Sequence, residues 1–203
     1  MFALVDKSDN SITRMLSGNK GITIGENQYP RSIFNLWSEA ERNAIDIYTV
    51  EIDNSKKKDE RWYINTDITY SFDGTNATGS HGDATARAHA DTKWTQEEID
   101  DNEAPEGADT DTVKVEGLKT ILIKTIKAQA EGELNKTDWY ITRKSEKNTA
   151  IPSAITTHRD AVRSKQASME TAITNASDTP ALETLYTRND SGVRPLGDLP
   201  ILE

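Results

Sequence analysis

The chain has 203 residues, of which 34% are hydrophobic, and it carries a net charge of −10. This composition argues against one large apolar core and favours small modules, or modules that complete their cores against a partner. The acidic balance argues against nucleic acid as a partner, because a surface that follows phosphates needs Lys and Arg. The chain has no cysteine, which excludes disulfides, thiolate metal ligands and a cysteine nucleophile.

Targeting and membrane signals are not visible in the sequence. The apolar run at residues 2–5 is too short for a signal peptide. No segment approaches the roughly 20 apolar residues that cross a bilayer. We therefore expect no membrane partner, and a protein that is made and used in the cytoplasm or is packed into a larger particle.

Residues 1–53 are predicted to form a small N-terminal α+β module. The apolar runs at residues 2–5 and 12–16 flank a polar turn, which predicts a hairpin. Ser38 and Glu41 have the spacing of a capping box, which predicts a short helix. A strand with one face on the core is predicted from the alternating apolar residues Tyr48, Val50 and Ile52.

Residues 54–100 are predicted to form a β-rich middle region. Ile68, Tyr70 and Phe72 alternate with polar residues and end in Asp73-Gly74, which predicts a hairpin whose return strand is poorly marked. Residues 76–90 are rich in Ala, Thr and Gly and fit a loop, a weak strand or a short helix. A further helix start is predicted by the capping-box and staple residues Trp94, Thr95, Glu98 and Ile99.

Residues 101–112 are predicted to be an acidic linker, and residues 113–203 a C-terminal helical region with an antiparallel helix pair. The first helix of the pair is indicated by apolar residues at every fourth position, namely Leu118, Leu122, Ile126, Ala130 and Leu134. The second is indicated by Ile155, Val162, Met169 and Ile173. Asp178 or Thr179 can cap a third, short helix that has Pro180 near its first position. The whole chain is thus predicted to be an α+β protein.

Signatures of catalysis and of metal binding are weak in this sequence. A calcium loop that starts at Asp101 fails, because Pro105 occupies a ligand position and Glu106 stands where glycine must make the turn. His81 and His89 lack the spacing that places two imidazoles on one helix face. We therefore predict no catalytic residue, no bound metal and no cofactor.

Partner contact is the role that the sequence favours for one group of residues. Trp139 with Tyr140 fits either a partner contact or core packing, since Trp buries a large area while keeping one N–H to satisfy. His158 lies on the periodic face of its helix and fits a core or interface position. Arg159 and Arg163 share a helix face and can bridge to carboxylates across an interface, or form an exposed pair that contributes little.

The C-terminal region resembles a family of bacteriophage proteins. Its helix leads into Thr137-Asp138-Trp139, and after Ile151-Pro152 a second helix carries His158, Arg159, Val162 and Arg163. This pattern is similar to the C-terminal region of tail assembly chaperones and tail-fibre assembly proteins, although His158 stands where the family usually has tyrosine. Residues 29–50 also resemble an N-terminal module of proteins from tail-fibre gene clusters of marine bacteriophages, with Asp46 in place of the expected glycine.

The resemblance implies a non-enzymatic role in the bacteriophage tail. The chain would be a structural or adaptor component that is associated with tail fibres in the virion after synthesis in the host cytoplasm. The alternative is a cytoplasmic assembly chaperone that is absent from the mature particle. Partners would be other tail or fibre proteins, with self-association as a further possibility. Two rival hypotheses are an enzyme and a carbohydrate-binding module, the latter based on Trp62, Tyr63 and Tyr70.

Overall fold

The computed structural model describes residues 1–202, and their contacts divide the chain into two compact units, Met1–Thr85 and Ala86–Glu203. Strands dominate the first unit and helices the second. The predicted α+β class, with strands in the N-terminal and middle parts and helices at the C-terminal end, is confirmed. The predicted boundaries at residue 53 and at residues 101–112 stay predictions.

The first unit is built around a five-stranded sheet. Its elements are β1 (Phe2–Asp6), β2 (Ser11–Leu16), β3 (Ile22–Ile24), β4 (Asn27–Tyr29), α1 (Ile33–Leu36), α2 (Glu39–Asn43), β5 (Ile47–Asp53), β6 (Tyr63–Ile64), β7 (Ile68–Phe72) and β8 (Ala77–His81), and a two-residue strand, β9 (Thr85–Ala86), follows. The strand order is β2-β1-β5-β8-β7. Cα atoms of the two edge strands, β2 and β7, approach within 8 Å, so the sheet curls towards a closed barrel.

Both predicted hairpins of this sheet are confirmed. β1 pairs with β2 in antiparallel register, and β7 pairs with β8 across the turn at Asp73-Gly74. The Asp73 carboxylate accepts hydrogen bonds from the backbone N–H groups of Thr75 and Asn76, which fixes the turn. The return strand was hard to recognise because β8 contains small residues, among them Gly79, where a Cβ atom would overlap the Tyr70 ring.

The sheet has an apolar core on each face. One face buries Ala3, Val5, Tyr48, Val50, Phe72 and Ala77. The other face packs Ile47 of β5 against Ile22, Ile33 and Phe34. The prediction that Ile52 lies on a core is wrong, since this side chain is 41% exposed. Its partner in β8 is Gly79, which has no side chain to cover it.

Helix α2 and the turn after it lead into β5. The predicted capping box is confirmed, because Ser38 accepts from the backbone N–H of Glu41 and the Glu41 carboxylate accepts from that of Ser38. Asp46 then adopts a left-handed backbone with φ of +61°. Its carbonyl accepts from the backbone N–H of Val5, and its carboxylate pairs with Lys7 at 2.7 Å. This backbone conformation is one that favours glycine.

The second unit contains one small strand pair and five helices among residues 86–202. Its elements are β10 (Thr92–Lys93), α3 (Gln96–Asp100), β11 (Val113–Val115), α4 (Leu118–Asn135), α5 (Asp138–Lys147), α6 (Ser153–Asn175) and α7 (Thr179–Tyr186). β10 pairs with β11, so α3 and the acidic residues 101–112 lie between two paired strands. The capping box of Thr95 and Glu98 is confirmed, and Lys114 contacts both Glu98 and the Trp94 ring.

Residues 88–91, which precede β10 in the sequence, supply hydrogen-bond acceptors to the first N–H groups of α4. The Asp91 carboxylate accepts from the backbone N–H of Gly117 at 2.7 Å and from the Thr120 hydroxyl at 2.8 Å. The carbonyl groups of residues 88 and 89 accept from the next two N–H groups, those of Leu118 and Lys119. The first N–H groups of a helix have no intrahelical partner, so these bonds replace a local cap. Gly117 is required here, because a Cβ atom would overlap the backbone of Ala90.

Helices α4 and α6 form the predicted antiparallel pair. Lys119 near the start of α4 donates to the carbonyl of Thr174 near the end of α6, whereas Leu134 near the end of α4 accepts from Arg159 near the start of α6. All but one of the predicted apolar positions are buried, namely Leu118, Leu122, Ile126 and Ala130 of α4 and Ile155, Val162, Met169 and Ile173 of α6. Leu134, at the end of α4, is half-buried. The third helix is also confirmed, and Asp178 caps it through the backbone N–H of Ala181.

Candidate functional site

The segment Thr137-Asp138-Trp139 lies where α4 gives way to α5. Residues 138–147 form the helix α5, an element that the sequence pattern did not predict. Only two residues separate α4 from α5, and the backbone N–H of Tyr140 donates to the Thr137 carbonyl to begin the new helix. The link to α6 is the short stretch 148–152, which starts with Asn148 in a left-handed conformation.

Arg159 of α6 holds the connection between α4 and α5 in place. One terminal nitrogen of its guanidinium, Nη1, donates to the Leu134 carbonyl at 2.7 Å and to the Thr137 hydroxyl at 2.6 Å, and lies 2.8 Å from the Asp138 carboxylate. Arg159 is 7% exposed and Thr137 is fully buried. We call these four residues, Leu134, Thr137, Asp138 and Arg159, the helix junction. Three acceptors from the end of α4 and the start of α5 converge on this one nitrogen, so the junction fixes how α5 leaves the helix pair.

Helix α5 exposes aromatic and aliphatic side chains. Trp139 is 51% exposed and Ile141 is 43% exposed. The rings of Trp139 and Tyr140 lie with centroids 3.8 Å apart, and the guanidinium carbon of Arg143 lies 4.8 Å and 5.1 Å from those two centroids. Trp, Tyr and Arg are the residue types that contribute most to binding at protein interfaces.

The same helix is basic at its C-terminal end. Arg143, Lys144 and Lys147 form no ion pair with a carboxylate in residues 1–202, and Glu146 is the one acidic residue among them. We call Trp139, Tyr140, Ile141, Arg143, Lys144 and Lys147 the α5 surface. Eight of the ten α5 residues are exposed and the other two are half-buried. A helix without a fully buried side chain presents much of its apolar surface to solvent or to a partner.

The structure separates the five residues that the sequence suggested for partner contact. Trp139 and Tyr140 belong to the α5 surface, whereas Arg159 belongs to the helix junction and is engaged within the chain. Arg163 is exposed and its Nη1 lies 3.4 Å from Asp160 of the same helix. His158 is half-buried, and its Nε2 finds no hydrogen-bond partner within the described part of the chain.

Sequence reasoning did not assign Ile141 and Lys147 to this surface. The signal that could have identified them is the lack of a continuous apolar stripe in residues 138–147, which marks a helix without a buried side.

The carbohydrate hypothesis depended on three aromatic residues that the structure places inside the first unit. Trp62 and Tyr63 are buried, and Tyr70 packs on the core that contains Phe72. Their rings therefore do not offer the open flat face on which a sugar ring could stack.

Over residues 1–202, no group of three or more His, Cys, Asp or Glu side chains is arranged to hold a metal ion. None of the helices that the structure describes combines the length and the apolar character needed to cross a membrane.

Comparisons with known proteins add no relative. No protein-family model matches the chain, and no curated protein or solved structure matches it at a significant level.

Proposed function

We propose that the chain is a non-enzymatic bacteriophage tail protein, a structural or adaptor component that binds other tail or fibre proteins in the virion. The observation that carries the proposal is the α5 surface, on a helix that the helix junction holds at a fixed angle, with Trp139, Lys144 and Lys147 exposed and Tyr140 and Arg143 half-buried. The resemblance of Thr137-Asp138-Trp139 and of the Arg159 region to tail assembly proteins gives the proposal its biological setting.

The α5 surface has the physical properties of a binding surface. Its stacked rings can bury a large area at a low cost in conformational entropy, since each has only two side-chain torsions to fix. Its three unpaired cations favour an acidic partner and would speed the encounter with one. The helix junction holds the surface rigid before binding, which reduces the ordering cost that a flexible segment would carry.

The first experiment is quantitative mass spectrometry of purified particles of the phage that encodes the chain. A copy number that matches a tail symmetry supports the structural role. Absence from particles, combined with association with tail or fibre proteins in infected-cell lysates, supports the alternative role of an assembly chaperone. Absence from both would overturn the proposal in either form.

The second experiment tests the α5 surface itself. The double substitution Trp139→Ala and Tyr140→Ala should weaken binding to the tail or fibre partner by about 100-fold or more, because even one aromatic residue at the centre of an interface typically contributes about 2 kcal/mol or more. The matched control is Leu36→Ala with Ile64→Ala, which removes two exposed apolar side chains elsewhere. Equal binding of both variants would exclude α5 as the contact.

A further inference from the structure

A second candidate binding site lies in the first unit and is independent of the proposed tail function. A cavity of about 600 Å³ opens between β2, the connecting loop 17–21 and β3. We call it the β2–β3 cleft. Its volume lies within the range of small-molecule sites, which run from about 300 to 1,000 Å³.

The floor of the cleft is apolar. Ile22 and Phe34 are buried, and Leu16 is half-buried against them. Gly18 allows the loop to lie close to this floor, because it adopts a left-handed φ of +72° and a Cβ atom there would meet the rings of Phe2 and Phe34. The loop therefore forms one wall of the cleft without filling it.

The charged side chains that line the cleft are both cationic. Arg14 donates from one guanidinium nitrogen to the Thr23 carbonyl at 3.2 Å, which directs the side chain along the wall and leaves its other donors unused. Lys20 lies on the loop. Neither residue forms an ion pair with a carboxylate in the part of the chain that the structure describes, although the protein as a whole is strongly acidic.

We propose that the β2–β3 cleft binds an amphipathic organic anion, that is, a carboxylate, sulfonate or phosphate ester attached to an apolar group. The anionic group would accept hydrogen bonds from Arg14 and Lys20, and charge-assisted bonds of this kind are about twice as strong as neutral ones. The apolar group would rest on Phe34 and Leu16. A fully hydrated inorganic anion would gain from the cations but not from the floor, so the cleft favours the organic ligand.

The test uses 8-anilinonaphthalene-1-sulfonate, which combines a sulfonate with an aromatic body and fluoresces when it leaves water. The full-length protein should bind it saturably with one site, and the backbone amide signals of Gly18 and Gly21 should shift during the titration. Exchanging both cations in the double variant Arg14→Gln, Lys20→Gln should weaken binding by about tenfold, which corresponds to about 1.4 kcal/mol.

Two controls separate this site from unspecific binding. The double variant Lys56→Gln, Lys57→Gln removes the same charge from exposed side chains of the same unit and should leave the affinity unchanged. The neutral analogue N-phenyl-1-naphthylamine should bind more weakly than the sulfonate to the unaltered protein and equally to both variants. The proposal is overturned if binding is not saturable, if both double variants bind the sulfonate alike, or if the shifted amides lie away from the cleft.

Discussion

Arg159 and Thr137 are joined by a hydrogen bond of 2.6 Å although 22 residues separate them in the sequence. The bond joins the segment around Asp138 to the arginine-bearing helix, the two segments on which the sequence analysis based its expectation of a tail assembly protein. In this arrangement a buried guanidinium holds α5 against the α4–α6 pair.

The helix junction is expected to depend strongly on Arg159. Replacing Arg159 with Met should lower the free energy of unfolding by about 2–3 kcal/mol, because the charge-assisted bonds to Leu134, Thr137 and Asp138 are lost. The matched control is Arg163→Met, one turn further along α6, where the side chain is exposed and the change should stay within about 0.5 kcal/mol. Urea unfolding followed by circular dichroism measures both. Equal stability of the two variants would contradict the structural role of the junction.

Two glycines of the α4 region should respond in opposite directions to the same substitution. Gly117→Ala should destabilise the protein by about 2 kcal/mol, since the new methyl group would overlap the backbone of Ala90. Gly132→Ala lies in open space inside the helix and should stabilise it by about 0.5–1 kcal/mol. Thermal unfolding of the two variants tests the pair, and stabilisation by Gly117→Ala would show that the Asp91 loop does not lie where we place it.

Asp91 should contribute a pH-dependent part of the stability. The backbone N–H of Gly117 and then the hydroxyl of Thr120 hold the pKa of Asp91 below its ordinary value of 3.8. Because the pKa is lower in the folded state, the contribution is fully present above that ordinary value and is lost as the pH falls through the folded-state pKa.

Chemical unfolding at several pH values between 7 and 2.5 measures this effect. The stability difference between the unaltered protein and Asp91→Asn should therefore shrink as the solution becomes more acidic. A difference that stays constant with pH would refute the assignment.

Asp46 occupies a left-handed backbone conformation, which is unfavourable in free energy for most residues other than glycine. Asp46→Ala should destabilise the protein by about 1 kcal/mol, because alanine lacks both the tolerance for this backbone and the carboxylate that pairs with Lys7. Asp46→Gly should be neutral or slightly stabilising, since glycine adopts this φ freely. Differential scanning calorimetry distinguishes the two variants, and a glycine variant less stable than the alanine variant would contradict the backbone argument.

Local sequence signals predicted much of this fold because they depend on neighbouring residues. Ser38 with Glu41 and Thr95 with Glu98 mark helix starts through bonds that span three residues, and Asp73-Gly74 marks a hairpin through the turn alone. The stripe from Leu118 to Ala130 predicted a buried helix face for a similar reason, since its period is that of the helix itself.

Other features depend on residues far apart in the chain. The burial of Arg159 follows from acceptors on a different helix, and the sequence shows only an arginine on a helical pattern. Helix α5 was missed because none of its apolar residues is buried, so it carries no stripe. The exposed position of Ile52 follows from its partner Gly79, which no local pattern assigns. The α5 surface could be recognised in the sequence from Trp139 and Tyr140, whereas the helix junction that supports it could not.

The parallel pairing of β5 with β8 affects how the first unit folds. Val50 lies next to Ala77 in this pair, yet β6 and β7 intervene in the chain. Contacts of such large sequence separation form slowly, because the intervening loop must close before they contribute. During synthesis on the ribosome, the Tyr48 ring would stay exposed to solvent until β8 had emerged. In that interval the nascent strand can form non-native contacts or bind a chaperone.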